Sequence, residues 1–253
     1  MKRTLILSFF VFTYFHFSYG QVINIESMRK ATDSAKWTGS ASLDIGLIKN
    51  TSKVFRVSSK AFVQYNNKKQ LWLFINDLNF QKIEGNSFVN KGTQHLRYNY
   101  TIAPKTKIEA FAQAQYDAIS EIDFRGLLGL GPRFKLSTSD NYRVYLGTLV
   151  MYEYEKASEV VSERIQRDFR ASTYLSFSLY PSENITIVST SYFQPKLEAF
   201  ADYRIANDTS LILKLFDNLA FKSSFSYNYD AKPVIESIPK TQYELTNGLL
   251  YTF

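Results

Sequence analysis

The sequence predicts an all-β protein: an antiparallel transmembrane β-barrel of about 12 strands, with ten and fourteen as the bounds. Three observations predict it. Apolar and polar residues alternate in long runs from Trp37 onward, connections are short at one end and longer at the other, and the chain ends on an aromatic strand. The mean hydropathy of −0.21 excludes a polytopic helical membrane protein, which needs stretches of roughly 20 apolar residues. It does not exclude a barrel, where the two faces of each strand average out. With no cysteine in 253 residues, a disulfide scaffold, a thiolate metal site and a cysteine nucleophile are all excluded.

Before the first run lies an address. Lys2 and Arg3 precede an apolar stretch from Leu5 to Phe17, and Ser18-Tyr19-Gly20 supplies small residues where a signal peptidase reads. A signal peptide over 1–20, cut before Gln21, is expected. An uncleaved anchor is the weaker alternative, because the stretch is short for a spanning helix. Losing Lys2 and Arg3 lowers the formal charge from +7 to +5. The remaining basic residues are dispersed, so nucleic-acid binding has no support. Residues 21–36 read as a periplasmic lead-in and 37–253 as the barrel.

The elements follow in order. Run 37–48 sets Trp37, Gly39, Ala41, Leu43, Ile45 and Leu47 against Thr38, Ser40, Ser42 and Asp44. Run 53–66 sets Phe55, Val57, Ala61, Val63 and Tyr65 against Arg56, Ser58, Lys60 and Gln64. Run 70–83 alternates poorly. Run 92–103 opposes Leu96, Tyr98, Tyr100 and Ile102 to His95, Arg97, Asn99 and Thr101, and run 106–118 opposes Ile108, Ala110, Ala112 and Ala114 to Glu109, Gln113, Gln115 and Asp117. Runs 121–137, 141–154 and 165–180 follow; the last carries Leu175, Phe177 and Leu179 against Tyr174, Ser176 and Ser178. Run 184–194 is again poor, and 202–215, 218–230 and 242–253 complete the set. Each is a half-buried strand. Most reach the ~9–11 residues that a tilted strand needs to cross a bilayer.

Connections separate a membrane barrel from a soluble sandwich. Those at 66–69, 103–105, 137–140, 181–183 and 216–218 are tight; those at 84–91, 155–164, 194–201 and 231–241 are longer. Lys49 to Ser52 and the turn near Ser120 are exceptions. Short periplasmic turns and longer extracellular loops are the pattern of outer-membrane barrels, and an even strand number puts both termini on the short-turn side. At the end of the chain, Gly248 followed by Tyr251 and Phe253 resembles the β-signal read by the outer-membrane assembly machinery, through strand pairing. That machinery and outer-membrane lipid are the expected partners. A soluble strand that happens to end in Phe is the plainer alternative.

Charge placement agrees. A Lys or Arg facing lipid at mid-bilayer costs about 2–4 kcal/mol. Arg56, Lys60, Arg97, Arg125, Arg133, Arg170, Arg204, Lys214 and Lys222 all fall on the polar parity, with Asp44, Glu109, Asp117, Asp123, Glu153 and Asp208. Among these, Arg97, Glu109, Asp117, Asp123, Arg125, Arg133 and Glu153 are the candidate lumen-lining residues. They fit a structural ion-pair network, or a constriction whose opposed charges set up a transverse field and select solutes. Aromatics near strand ends, including Trp37, Tyr65, Tyr116 and Tyr152, read as interfacial girdles.

Other chemistry finds little. After signal removal His95 is the only histidine; on the inward face beside Arg97 it reads as lining, not as a catalytic base, and it has no neighbour at metal-ligand spacing. No catalytic residue, metal or cofactor is expected. Gly126, Gly129 and Gly131 have no helix after them, so they mark close backbone approach and not a phosphate loop.

Three segments, His95-Leu96-Arg97-Tyr98-Asn99-Tyr100, Ile108 to Asp117, and Arg125-Gly126-Leu127-Leu128-Gly129-Leu130-Gly131-Pro132-Arg133-Phe134, resemble the YdiY-like family. Leu146-Gly147, Tyr152 to Glu155, Asp202-Tyr203-Arg204 and Tyr229-Asp230 with Pro233 continue the likeness over most of the mature chain. That family is described as salt-induced outer-membrane proteins with a domain of unknown function. The resemblance implies location, barrel form and an association with salt or osmotic stress, and transfers no ligand or catalytic residue. The resulting expectation is a barrel with a narrow or occluded polar lumen passing small solutes or ions. A non-conducting barrel acting through its loops is the alternative, and a membrane-embedded lipid hydrolase the third.

Overall fold

The computed structural model describes residues 37–49, 53–83, 86–118, 120–137, 139, 141–157, 165–217, 219–233 and 239–251. The expected signal peptide, the lead-in and Phe253 lie outside these. The regular elements are all strands: β1 (Trp37–Lys49), β2 (Lys53–Asn66), β3 (Gln70–Ile83), β4 (Asn86–Ala103), β5 (Thr106–Asp117), β6 (Ile122–Lys135), β7 (Tyr142–Ala157), β8 (Ile165–Ser182), β9 (Ile185–Lys196), β10 (Ala199–Phe216), β11 (Leu219–Asp230) and β12 (Thr241–Tyr251). They form one twelve-stranded antiparallel sheet in chain order. Among the described residues no ladder joins β12 to β1, so the sheet is not closed.

Side-chain burial follows the alternation. On β8, Asp168, Arg170, Ser172, Tyr174 and Ser176 are buried while Phe169 and Leu175 between them are exposed. Leu96, Leu128, Leu130, Val150, Phe193 and Phe225 are likewise exposed on the outer face of their strands. This inverts a soluble core: the large apolar residues face outward and the charges face inward, as a hydrocarbon solvent demands. Leu245 of β12 is 53% exposed. It shares its parity with Leu249 and Tyr251, which pair with Phe221 and Leu219 of β11.

The two poorly alternating runs have physical causes. On β3 the inward Leu71, Leu73 and Ile75 are buried, the last two packed with Phe62 of β2, so both faces of that stretch are apolar. On β9 and β10 the outward face carries hydroxyls and an amide that satisfy one another: Ser189 with Thr209 at 2.8 Å, and Asn207 donating to Ser191 at 2.8 Å. Polar groups on an otherwise apolar face are tolerated when mutually bonded.

Strand ends differ from the expectation on the loop side, where β7 runs on to Ala157 through residues expected in a loop. Residues 86–91 and 194–196, expected in loops, are strand, and only two residues separate β3 from β4 and β9 from β10. Polar residues there obscure the alternation, but the backbone still pairs, with register shifts between Gln81 and Lys82 and between Ala199 and Tyr203. The two longest connections, 158–164 and 231–240, both lie on the side expected to be extracellular, called here the loop side.

Candidate functional site, a partition inside the sheet

Inward parity on β4 to β11 concentrates charge at two levels. The level nearer the short turns centres on Glu109 of β5, which is fully buried. Arg133 of β6 approaches it at 3.3 Å and Arg97 of β4 at 3.5 Å. The Tyr174 hydroxyl, from β8, donates to Glu109 and accepts from Arg133 at 3.3 Å. Two strands, β6 and β7, lie between β5 and β8, so this bond crosses the interior rather than following the sheet. Arg133 also lies over the Tyr145 ring at 4.0 Å and Arg97 over Phe111 at 5.4 Å. Guanidiniums buried against aromatic faces keep part of the electrostatic stabilisation they lose with water.

Glycine makes the crossing possible. A methyl group on Gly147 would overlap the Tyr174 ring, and one on Gly129 the Phe111 ring. Both rings lie on glycine backbone, which brings them into the interior. Gly129 thus serves close approach, as expected, and Gly147 does the same without having been singled out for it.

The second level, nearer the loop side, centres on Glu153 of β7. Arg125 of β6 reaches it at 2.5 Å, Arg170 of β8 at 2.6 Å, and Arg204 of β10 pairs with the same carboxylate. Glu155 adds contacts to Arg125 at 3.2 Å and Arg204 at 3.3 Å. Arg170 continues to Asp202 at 3.0 Å, Arg204 to Asp230 at 2.8 Å, and Lys196 binds Asp168 at 2.6 Å. One carboxylate thus ties three strands together, with guanidiniums on every side. Burying such charges is tolerated only with this degree of pairing.

Between the levels, His95 Nδ1 donates to the Gln113 amide oxygen at 2.9 Å, Gln113 donates to Gln115 at 2.6 Å, and Gln194 donates to Ser172 at 3.1 Å. His95 stacks on Phe111. Apolar side chains close the rest: Leu149, Tyr174, Tyr192 and Ala206 pack together, with Phe111 against them. The cavity left among these residues is about 20 Å³. That admits one water and nothing larger.

Of the seven lumen candidates, the structure brings Arg97, Glu109 and Arg133 together at one level and Arg125 and Glu153 at the other. Asp117 is buried but turns to its own connection, accepting from the Ser120 amide at 3.3 Å and the Ser120 hydroxyl at 3.2 Å. Asp123 is a correction. A register shift between Ile122 and Phe124 takes it off the inward face, to a 42%-exposed position 3.8 Å from Lys156. Sequence reasoning placed Arg170 and Arg204 on the inward parity without seeing their role, and missed Glu155, Asp202, Asp230 and Tyr174. Glu155 read as the start of a loop, although its step of two from Glu153 was the available signal. The remaining inner wall, on β2, β3, β10 and β11, is wetter. Lys60 meets Asp77 at 3.4 Å, and Lys222 lies within the field of Lys60 and Asp208.

A solved structure shares this architecture. The chain matches a solved structure described as NanC porin at TM-score 0.50 and 9% identity, over 84% of this chain and 100% of that one. A second, described as a bacterial polysaccharide outer membrane secretin, has TM-score 0.47 and 7% identity, over 86% and 91% of the two chains. The first likeness is one of fold alone, that of a porin. Comparison with curated proteins finds no match. The sequence profile of one family matches residues 38–253, all but the first residue of β1 and everything after it. On that match, the chain belongs to the family described as a protein of unknown function, DUF481.

Proposed function

We propose that the chain is an integral outer-membrane barrel whose interior is partitioned by the two charge levels, leaving a narrow path for ions and small solutes. The carrying observation is the packing between the two charge levels, where the cavity among the inward residues of β4 to β9 has room for one water. Any wider route must follow the wetter wall of β2, β3, β10 and β11, past Lys60, Asp77, Asp208 and Lys222. Opposed charges along such a path would select solutes by charge. Purified protein in planar bilayers tests this. Small conductance steps that increase when Glu153→Gln loosens the partition are expected; silence across a range of salts would end the channel reading.

The second reading is a non-conducting barrel, favoured by the same small cavity. Its loops at 158–164 and 231–240 would then carry its interactions. Fractionation with heat-modifiability on a gel tests the location common to both: the folded form should sediment with the outer membrane and migrate differently from its boiled form. Assembly through the Gly248, Tyr251 and Phe253 signal, the YdiY-like assignment and a role under salt or osmotic load belong to this proposal. We propose no catalytic function: His95→Ala should leave any lipid hydrolysis unchanged.

A further inference from the structure

On β9 and β10 four polar side chains interrupt the apolar outer wall. Strand register places them in two adjacent rows: Leu175, Ser191, Asn207 and Tyr227 across β8 to β11, and Phe177, Ser189, Thr209 and Phe225 beside them. Each row is polar at its centre and apolar or aromatic at both ends. Phe193 and Ile205 bound the patch on the loop side, and Ile187 and Leu211 on the short-turn side. Ser191 and Asn207 lie at mid-strand, within Ile185–Lys196 and Ala199–Phe216, away from the ends where water or a lipid headgroup would meet them.

The four groups hold one another. Asn207 donates to Ser191 at 2.8 Å and to Ser189 at 3.2 Å, Thr209 donates to the Asn207 side-chain oxygen at 3.0 Å, and Ser189 meets Thr209 at 2.8 Å. Ser189 is buried, whereas Ser191 is exposed. Among the described residues, the hydroxyl proton of Ser191 meets no acceptor. A second hydroxyl pair, Thr148 with Thr173 at 3.2 Å, lies one row nearer the loops. Hydrocarbon offers such groups nothing, whereas in lipid serine, threonine and asparagine bond across protein contacts. The chemistry of the patch also selects its partner. Hydroxyls and amides both donate and accept, so a copy turned about a two-fold axis presents each group with its complement. From β7 to β12, the outward positions of the four rows between Thr148–Thr173 and Tyr142–Leu179 carry no charge, so nothing there calls for a partner of opposite sign. Six strands at ~4.8 Å and four rows at roughly 7 Å cover about 800 Å², the area that each partner of a stable complex buries.

We propose that this face pairs two copies of the chain about a two-fold axis through the Ser191–Asn207 patch, with the apolar rim packed against its counterpart. The proposal rests on the outer-membrane reading, since it is hydrocarbon that leaves the patch in need of a partner. The test folds the full mature chain, labelled at its N-terminus, into phosphatidylcholine vesicles over a range of protein-to-lipid ratios and counts copies per complex by photobleaching. Dimers are expected, and Asn207→Leu with Ser191→Ala should raise their dissociation constant on the order of tenfold. In a chain without cysteine, Ser191→Cys should give a covalent dimer on oxidation with iodine, whereas Leu96→Cys, exposed on the outer face of β4, should not. Heat-modifiability reports whether each variant is folded, and Ser191→Cys decides alone if the double variant is not. A native chain that is single at every ratio, a dissociation constant unchanged in the folded double variant, or no covalent dimer from Ser191→Cys each overturns the interface. Failure of the native chain to reach a heat-modifiable form overturns the membrane reading instead.

Discussion

Glu153 is the residue on which the interior depends most. Three guanidiniums, from Arg125, Arg170 and Arg204, converge on its carboxylate, and it is 1% exposed. Glu153→Gln keeps the shape and removes the charge, leaving those cations underpaired in a low-dielectric interior. Breaking one side of a buried ion pair costs about 3–5 kcal/mol. Urea unfolding of the vesicle-inserted protein should register a loss of that size; a change within error would mean that water already screens the cluster. Gly147 makes the same point sterically. Gly147→Ala would push the Tyr174 ring off the backbone and separate its hydroxyl from Glu109. Overpacking of this kind costs about 1–3 kcal/mol. In a double mutant with Tyr174→Ala, which removes the displaced ring, most of that loss should disappear. A fully additive result would show that the methyl clashes with something else.

At the scale of the strand, two faces answer to two solvents. Leu128, 60% exposed near the middle of β6, faces outward, whereas Arg125 and Arg133 on the same strand face inward and are buried. Leu128→Arg should therefore cost about 2–4 kcal/mol when the protein is folded in a bilayer. The same change should cost little in a detergent micelle thin enough for the side chain to reach water. Equal costs in both would place that face away from hydrocarbon. β12 makes a different prediction. Its ladder to β11 runs from Thr241 to Tyr251, so Tyr251 ends the last paired turn of the sheet. Tyr251→Ala should lower the heat-modifiable fraction in cells while leaving unassisted folding in vesicles nearly intact, since the loss is one of recognition. Elements of this kind were legible in the sequence because alternation at period two is written residue by residue. Strand ends were less so: at 86–91 and 194–196 polar residues continue the ladder beyond the apolar stretch, and only the partner strand determines that they pair.

For the whole molecule, curvature decides what the inward residues do. A flat sheet would hold Glu109 and Tyr174 three strands apart; here they bond across the interior. Tyr174 stood on the polar parity in the sequence but read as one more lining residue, because no strand-neighbour rule connects β5 to β8. Likewise Asp230 and Arg204 meet through the β10–β11 register, and Arg204 then reaches Glu153 across β8 and β9. What the sequence by itself determined is the face of most residues, a strand number near twelve and the outward placement of apolar side chains, since these depend mainly on local alternation. What the tertiary structure decided is which inward charges meet, that Asp123 leaves the interior at a register shift, and that the cavity between the charge levels has room for no more than one water. Those outcomes depend on how far the sheet curls and where its register slips, and distances between strands remote in sequence are set by that curl alone.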